Sequence, residues 1–210
     1  MTSTPRVCGL DFDNTLVSYD ALLARIVRER CLLPSRIPES KRKLRDRIRQ
    51  LESGEIEWQK CQALLYGSRI GEATLIDGVA RFFELCHQQG VKLYIVSHKT
   101  EFSQYDRTCT NLRTAALEWM RANGFFEPHR LGLNMQDVFF AGTRQEKIDR
   151  IAGLQCTDFI DDLEETFLEA GFPQATRRIL YEPGRDSPAP LGVAWMNNWH
   201  DISEYFFGTN

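Results

Sequence analysis

Five short apolar or mixed runs recur along the chain: Val7 to Leu10, Val91 to Val96, Val138 to Phe140, Thr157 to Ile160, and Arg178 to Tyr181. Their length and content suit buried β-strands. Between most of them the apolar positions return at helical spacing. Val79, Phe82, Phe83, Leu85 and Cys86 fall on a helix ended by Gly90, and Leu112, Ala116, Leu117 and Met120 mark another ended near Gly124. Strand, helix and strand in repetition predict an α/β fold: a mostly parallel sheet covered by helices on both faces.

The first two strands are separated by about eighty residues, far more than the dozen or so that one crossover needs. An insertion is therefore expected after the first strand. Residues 17–73 read as helix: Leu22, Leu23, Ile26 and Val27 on one segment, Leu44, Ile48 and Leu51 on a second, Trp58, Cys61, Leu64 and Leu65 on a third. The expected division is a core of residues 1–16 and 74–210 and a small helical cap of residues 17–73. Glu182 to Pro190 reads as a loop before the terminal segment Trp195 to Phe207. No internal repeat or low-complexity tract is present.

The polar residues that follow the strands are the informative ones. Asp11, Phe12, Asp13, Asn14 and Thr15 follow the first strand, and Ser97, His98 and Lys99 the second. Thr143, Arg144 and Lys147 follow Val138 to Phe140, while Asp161 and Asp162 follow Thr157 to Ile160. In parallel α/β sheets the C-terminal strand ends form the ligand crevice, so these groups should converge. Crowded carboxylates favour a divalent cation, whereas a hydroxyl and an ammonium favour anionic oxygens. Phosphate bound to a magnesium ion satisfies both.

Composition narrows the choice further. A chain of 210 residues, 42% hydrophobic and 26% charged, is an ordinary globular protein. Its formal net charge of −3 offers no excess of positive charge to a nucleic-acid backbone or an anionic membrane, so neither is an expected partner. No apolar run approaches the roughly 18 residues of a membrane span, and Met1 to Arg6 lack a secretion signal, so a cytoplasmic location is expected. The six cysteines are scattered without zinc-ligand spacing and read as reduced, mostly buried thiols.

Asp11-Phe12-Asp13-Asn14-Thr15-Leu16 resembles the DxDxT signature of haloacid dehalogenase-type phosphatases. Ser97, Lys147, and Asp161 with Asp162 stand, in order, where that superfamily's second, third and fourth motifs are expected, and the resemblance spans Arg6 to Tyr181. It implies a Rossmann-like core in which Asp11 is the nucleophile, forming an aspartyl phosphate. Asp13 would protonate the leaving alcohol and later deprotonate the attacking water. Magnesium would be held by the Asp11 carboxylate, the Asp13 backbone carbonyl and Asp162, with Asp161 assisting directly or through water. Ser97, Lys147 and the amides of Asn14 and Thr15 would bind the phosphoryl oxygens. In that superfamily the true dehalogenases lack the second acid, so Asp13 favours phosphoryl transfer over carbon–halogen cleavage.

Other readings of these residues remain open at the level of sequence. Arg144 or Lys99 could supply the phosphate-binding cation in place of Lys147, Ser97 could be a helix cap, and Asp161 and Asp162 could cap the next helix. His98 and Lys99 are candidates for substrate contact. Asp158, Glu164 and Glu165 read as structural. The basic stretch Lys41 to Arg49 scans as an amphipathic helix with a charged outer face, or as a surface for an anionic substrate. Among functions, a phospho-acceptor receiver would carry its acid pair on the first strand and its phospho-accepting Asp later, the reverse of the order here. A phosphomutase or a non-catalytic phospho-ligand-binding protein would share the fold. The expected substrate is a small phosphorylated metabolite, such as a sugar phosphate or nucleotide, because a helical cap would exclude most macromolecules. Oligomeric state is not legible, since amphipathic patterns do not reveal which exposed face meets a partner.

Overall fold

The computed structural model describes residues 5–34, 40–106 and 108–208. In chain order the strands are β1 (Val7–Leu10), β2 (Val17–Ser18), β3 (Thr74–Leu75), β4 (Lys92–His98), β5 (Val138–Ala141), β6 (Asp158–Asp161), β7 (Arg177–Tyr181) and β8 (Val193–Met196). The α-helices are α1 (Asp20–Glu29), α2 (Lys41–Arg49), α3 (Gly54–Ala63), α4 (Val79–Gln88), α5 (Leu112–Ala122), α6 (Arg144–Gly153), α7 (Glu164–Leu168) and α8 (Trp199–Phe207).

Six strands form one sheet in the order β5-β4-β1-β6-β7-β8, every neighbouring pair parallel. The chain builds to one side of β1 through β4 and β5, then returns to the other side through β6, β7 and β8. The end of β1 is thus the topological switch point, where a parallel sheet opens a crevice. β1 tolerates that central place because it is short, apolar and almost wholly buried.

Side-chain alternation divides the core into two layers. Phe159 packs with Ile148 and Ile151 of α6, Phe167 of α7 and Phe172 on one face of the sheet. Its neighbour Asp158 points to the opposite face, where Arg6 reaches it at 3.1 Å and also meets the ring of Phe206 on α8. On that second face Phe82 of α4 contacts Trp199, Phe206 and Phe207 edge-on or tilted. Gly9 lies where the β1 backbone passes closest to Phe159: a Cβ there would come within 2.5 Å of its ring.

The chain folds as two compact units. The first, residues 5–16, 75–99 and 123–208, holds the six-stranded sheet. The second, residues 17–74 and 100–122, is largely helical, and its core is built from Leu22, Leu23, Ile26 and Val27 of α1, Leu44 and Ile48 of α2, and Trp58 and Cys61 of α3. Val17–Ser18 and Thr74–Leu75 pair as a separate two-stranded sheet.

Two features correct the sequence reading. Residues 100–122 were expected in the core, with α5 covering the sheet; they belong to the helical unit instead. The buried indole of Trp119 donates to the Ala73 carbonyl at 3.0 Å, and Leu112 lies against Gly67. The apolar spacing of α5 identifies a helix but not the core it joins. The sheet also has a sixth strand, β8, which overlaps the start of the terminal segment Trp195 to Phe207 and was not read as a strand. Val193 is its one buried residue, so it carries little apolar signal. Strands β4 and β6 run one or two residues further than expected, which makes Ser97 and Asp161 parts of strand ends.

Among the described residues no helix is long and apolar enough to cross a membrane. The six cysteines are free, four of them buried and Cys31 and Cys109 exposed.

Candidate active site

The turn after β1 is fixed at several points. The Asp11 amide donates to the Ile160 carbonyl at 2.9 Å, and the Leu16 amide closes the turn onto the Phe12 carbonyl at 2.9 Å. Asn14 has φ of 63°, in the left-handed region that Asn tolerates better than most residues with a side chain. The indole of Trp199 donates to the Thr15 carbonyl at 3.0 Å. Thr15 Oγ1 is buried without a hydrogen-bond partner.

Three distant segments meet Asp11. From the end of β4, Ser97 Oγ donates to Asp11 Oδ1 at 2.9 Å. From the first turns of α6, Lys147 Nζ donates to the same Oδ1 at 2.6 Å and to Asp161 Oδ2 at 2.7 Å. That helix is started by Thr143, whose hydroxyl accepts from the Glu146 amide at 3.1 Å, while the Glu146 carboxylate reaches back to the Gly142 amide at 2.8 Å. The cap places Lys147 one turn in, facing inward. Asp161 is fully buried at the end of β6, and its Oδ1 accepts from the Leu163 amide at 3.0 Å.

Carboxylate oxygens of Asp11, Asp161 and Asp162 lie within 4.8 Å of one another. Burial pushes the Asp11 carboxyl up to about 6, against the opposing pull of Lys147. The Lys147 ammonium is itself buried, yet Asp11 and Asp161 outweigh that burial and hold it above its ordinary range. The oxygens that Asp11, Asp161 and Asp162 bring together form an all-oxygen donor set, of the kind that suits a hard divalent cation.

The structure separates the candidate cations. Arg144 turns away to Glu169, 2.8 Å distant and near the surface, so it is not the cation at Asp11. Lys99 is buried with its Nζ 2.7 Å from Asp13 Oδ2. Its pairing with Asp13 is the contact that sequence reasoning missed. Alternation continued one residue past β4 puts Lys99 on the side of Ser97, a direction the sequence does carry, but not the carboxylate it meets there. His98 points the other way, its Nε2 at 3.1 Å from the Gly142 carbonyl oxygen.

No family model and no curated protein matches the sequence. Solved structures do match across nearly the whole chain. A HAD-superfamily hydrolase from Ehrlichia chaffeensis has a TM-score of 0.55 at 15% identity, covering 97% of each chain. A HAD family hydrolase from Deinococcus radiodurans, with bound phosphate and sodium, has a TM-score of 0.55 at 14% identity over 96% of this chain and 95% of its own. The HAD-hydrolase YfnB from Bacillus subtilis, bound to magnesium, has a TM-score of 0.57 at 16% identity over 99% and 100%. This is the haloacid dehalogenase fold. Within the HAD fold the acids, the serine and the lysine described above all lie at the C-terminal edge of the sheet, around its switch point.

Proposed function

We propose that this protein is a magnesium-dependent phosphohydrolase of the haloacid dehalogenase superfamily, acting on phosphate monoesters of small metabolites. The observation that carries the reading is the convergence of Ser97 Oγ and Lys147 Nζ on one oxygen of a buried carboxylate, that of Asp11. Two donors on Oδ1 fix the orientation of a nucleophile that attacks phosphorus, and the same hydroxyl and ammonium suit the oxygens of a phosphoryl group. The phosphate and magnesium bound to two proteins of similar fold agree with that chemistry, although the fold alone does not carry it.

In this account an oxygen of Asp11 forms the new bond to phosphorus as the ester oxygen departs. Asp13 gives that oxygen a proton. A water then attacks the phosphorus of the aspartyl phosphate, Asp13 takes the water's proton, and inorganic phosphate leaves with Asp11 restored. Ser97 and Lys147 hold the phosphoryl oxygens through both steps. The carboxylates of Asp11, Asp161 and Asp162, with the Asp13 carbonyl, would hold magnesium, which supplies charge neutralisation for the phosphoryl group.

The test is phosphate release from an aryl phosphate and a panel of sugar phosphates, nucleotides and phospho-acids, with magnesium or with chelator. Turnover that requires magnesium and is lost in Asp11→Asn is the expected result. Turnover that survives in Asp11→Asn would refute the assignment of the nucleophile.

A further inference from the structure

Lys99 is an ammonium held away from water beside the acid that must move a proton. Its side chain is 2% exposed, that of Asp13 15%, and the two meet at 2.7 Å although 86 residues separate them. The Lys99 amide donates to the Ala141 carbonyl at 2.9 Å, which anchors the base of the side chain to the neighbouring strand. Its Nζ also stands 5.6 Å from the centre of the Phe12 ring. Burying a lysine is costly unless a carboxylate meets it, and the carboxylate met here is that of Asp13.

We propose that Lys99 is the positioning residue of Asp13: it holds the carboxyl group in the one orientation from which a proton reaches the leaving oxygen. The inference rests on the phosphohydrolase reading and adds to it. A general acid must come within about 2.6–3.2 Å of the oxygen it protonates, and a displacement of about 1 Å can cost on the order of a hundredfold in rate. Asp13 borders the left-handed turn at Asn14, and the Lys99 contact at 2.7 Å falls on its Oδ2. Through that contact Lys99 would act on the bond being broken and not on the recognition of the substrate.

Leaving-group dependence separates this role from its rivals. The quantity kcat/KM reports the steps up to departure of the alcohol. A simple alkyl phosphate needs the proton from Asp13 at that point, and a dinitrophenyl phosphate scarcely does. Lys99→Met should therefore lower kcat/KM for the alkyl ester by about a hundredfold and for the dinitrophenyl ester by at least about tenfold less. Asp13→Asn should give the same pattern, and adding Lys99→Met to Asp13→Asn should cost little more, since the two residues act as a unit.

Equal losses on both esters would mean a merely structural ion pair and overturn the proposal. So would a raised KM with kcat kept on both, which would make Lys99 a substrate contact. Should Lys99→Met fail to fold, Lys99→Arg keeps the charge while displacing it, and a smaller loss of the same leaving-group pattern is expected; equal losses there would overturn the proposal too. A wild-type protein inert toward both esters with magnesium would overturn the phosphohydrolase reading, and this proposal with it.

Discussion

Lys147 Nζ lies 2.6 Å from Asp11 Oδ1, a contact between residues 136 positions apart in the chain. The same ammonium reaches Asp161 at 2.7 Å, and all three side chains are almost completely removed from solvent. One lysine thereby joins the ends of β1 and β6 to helix α6, so the site's electrostatics and the fold's stability share a residue.

Lys147→Met should consequently be damaging even before catalysis is considered. It leaves two buried carboxylates without their common cation, a change that typically costs about 3–5 kcal/mol. Urea denaturation in the presence of chelator measures this loss. Magnesium should recover part of it, because in the proposed function it would meet the same two acids.

The Asp11 carboxyl, pushed up to about 6 chiefly by burial, gives the metal site a pH dependence with a definite sign. Without metal, the native protein keeps a proton on Asp11 at pH values where the unfolded chain has lost it. The stability from this group is complete below the ordinary value of 3.8 and is lost as pH rises through about 6. Magnesium binds the ionised form, so protons compete with it below that value. The rise in Tm on adding magnesium, measured by calorimetry against a chelator control, should be larger near pH 7 than near pH 5.

Gly9 couples the packing beneath the sheet to the turn that begins two residues later at Asp11. A methyl group there would meet Phe159 Cδ2 at 2.5 Å, Phe159 Cε2 at 2.8 Å and Cys156 Sγ at 3.0 Å. Gly9→Ala should destabilise the protein by about 1–3 kcal/mol, as overpacking does. It should also weaken activity more than an alanine in the open surroundings of Gly153, where nothing beyond the glycine's own helix and chain neighbours lies within 4 Å of the added carbon. Denaturant titration and phosphate release on the two variants check both statements.

How much of this was legible beforehand depends on which interactions are local. Strand β1 and the residues after it could be read from Val7 to Thr15 alone, because an apolar run ending in acids needs no distant information. The meeting of Ser97, Lys147, Asp161 and Asp162 with Asp11 followed from one topological rule about parallel sheets. The choice of Lys147 over Arg144 did not. Both lie on the same helix, and only the Thr143 cap, which sets the helix phase, turns one inward and leaves the other to Glu169. Strand β8 was missed because an edge strand buries little, and the membership of α5 was missed because helical periodicity names a buried face without naming its partner. Lys99 was recognised as near the site but not as the partner of Asp13: alternation from Ser97 gives the direction of its side chain, and only the approach of the two turns gives the carboxylate it meets.

The most direct test of the account is to find the phosphoryl group on the enzyme. Protein quenched in acid during turnover with magnesium and a phosphate ester, then digested and examined by mass spectrometry, should carry a phosphoryl adduct on Asp11. The adduct should be absent from Asp11→Asn and should accumulate in Asp13→Asn supplied with a dinitrophenyl phosphate, whose leaving group needs no proton, because that variant would lack the base for the second step. An adduct on any other residue, or magnesium-dependent phosphate release that persists in Asp11→Asn, would contradict the account.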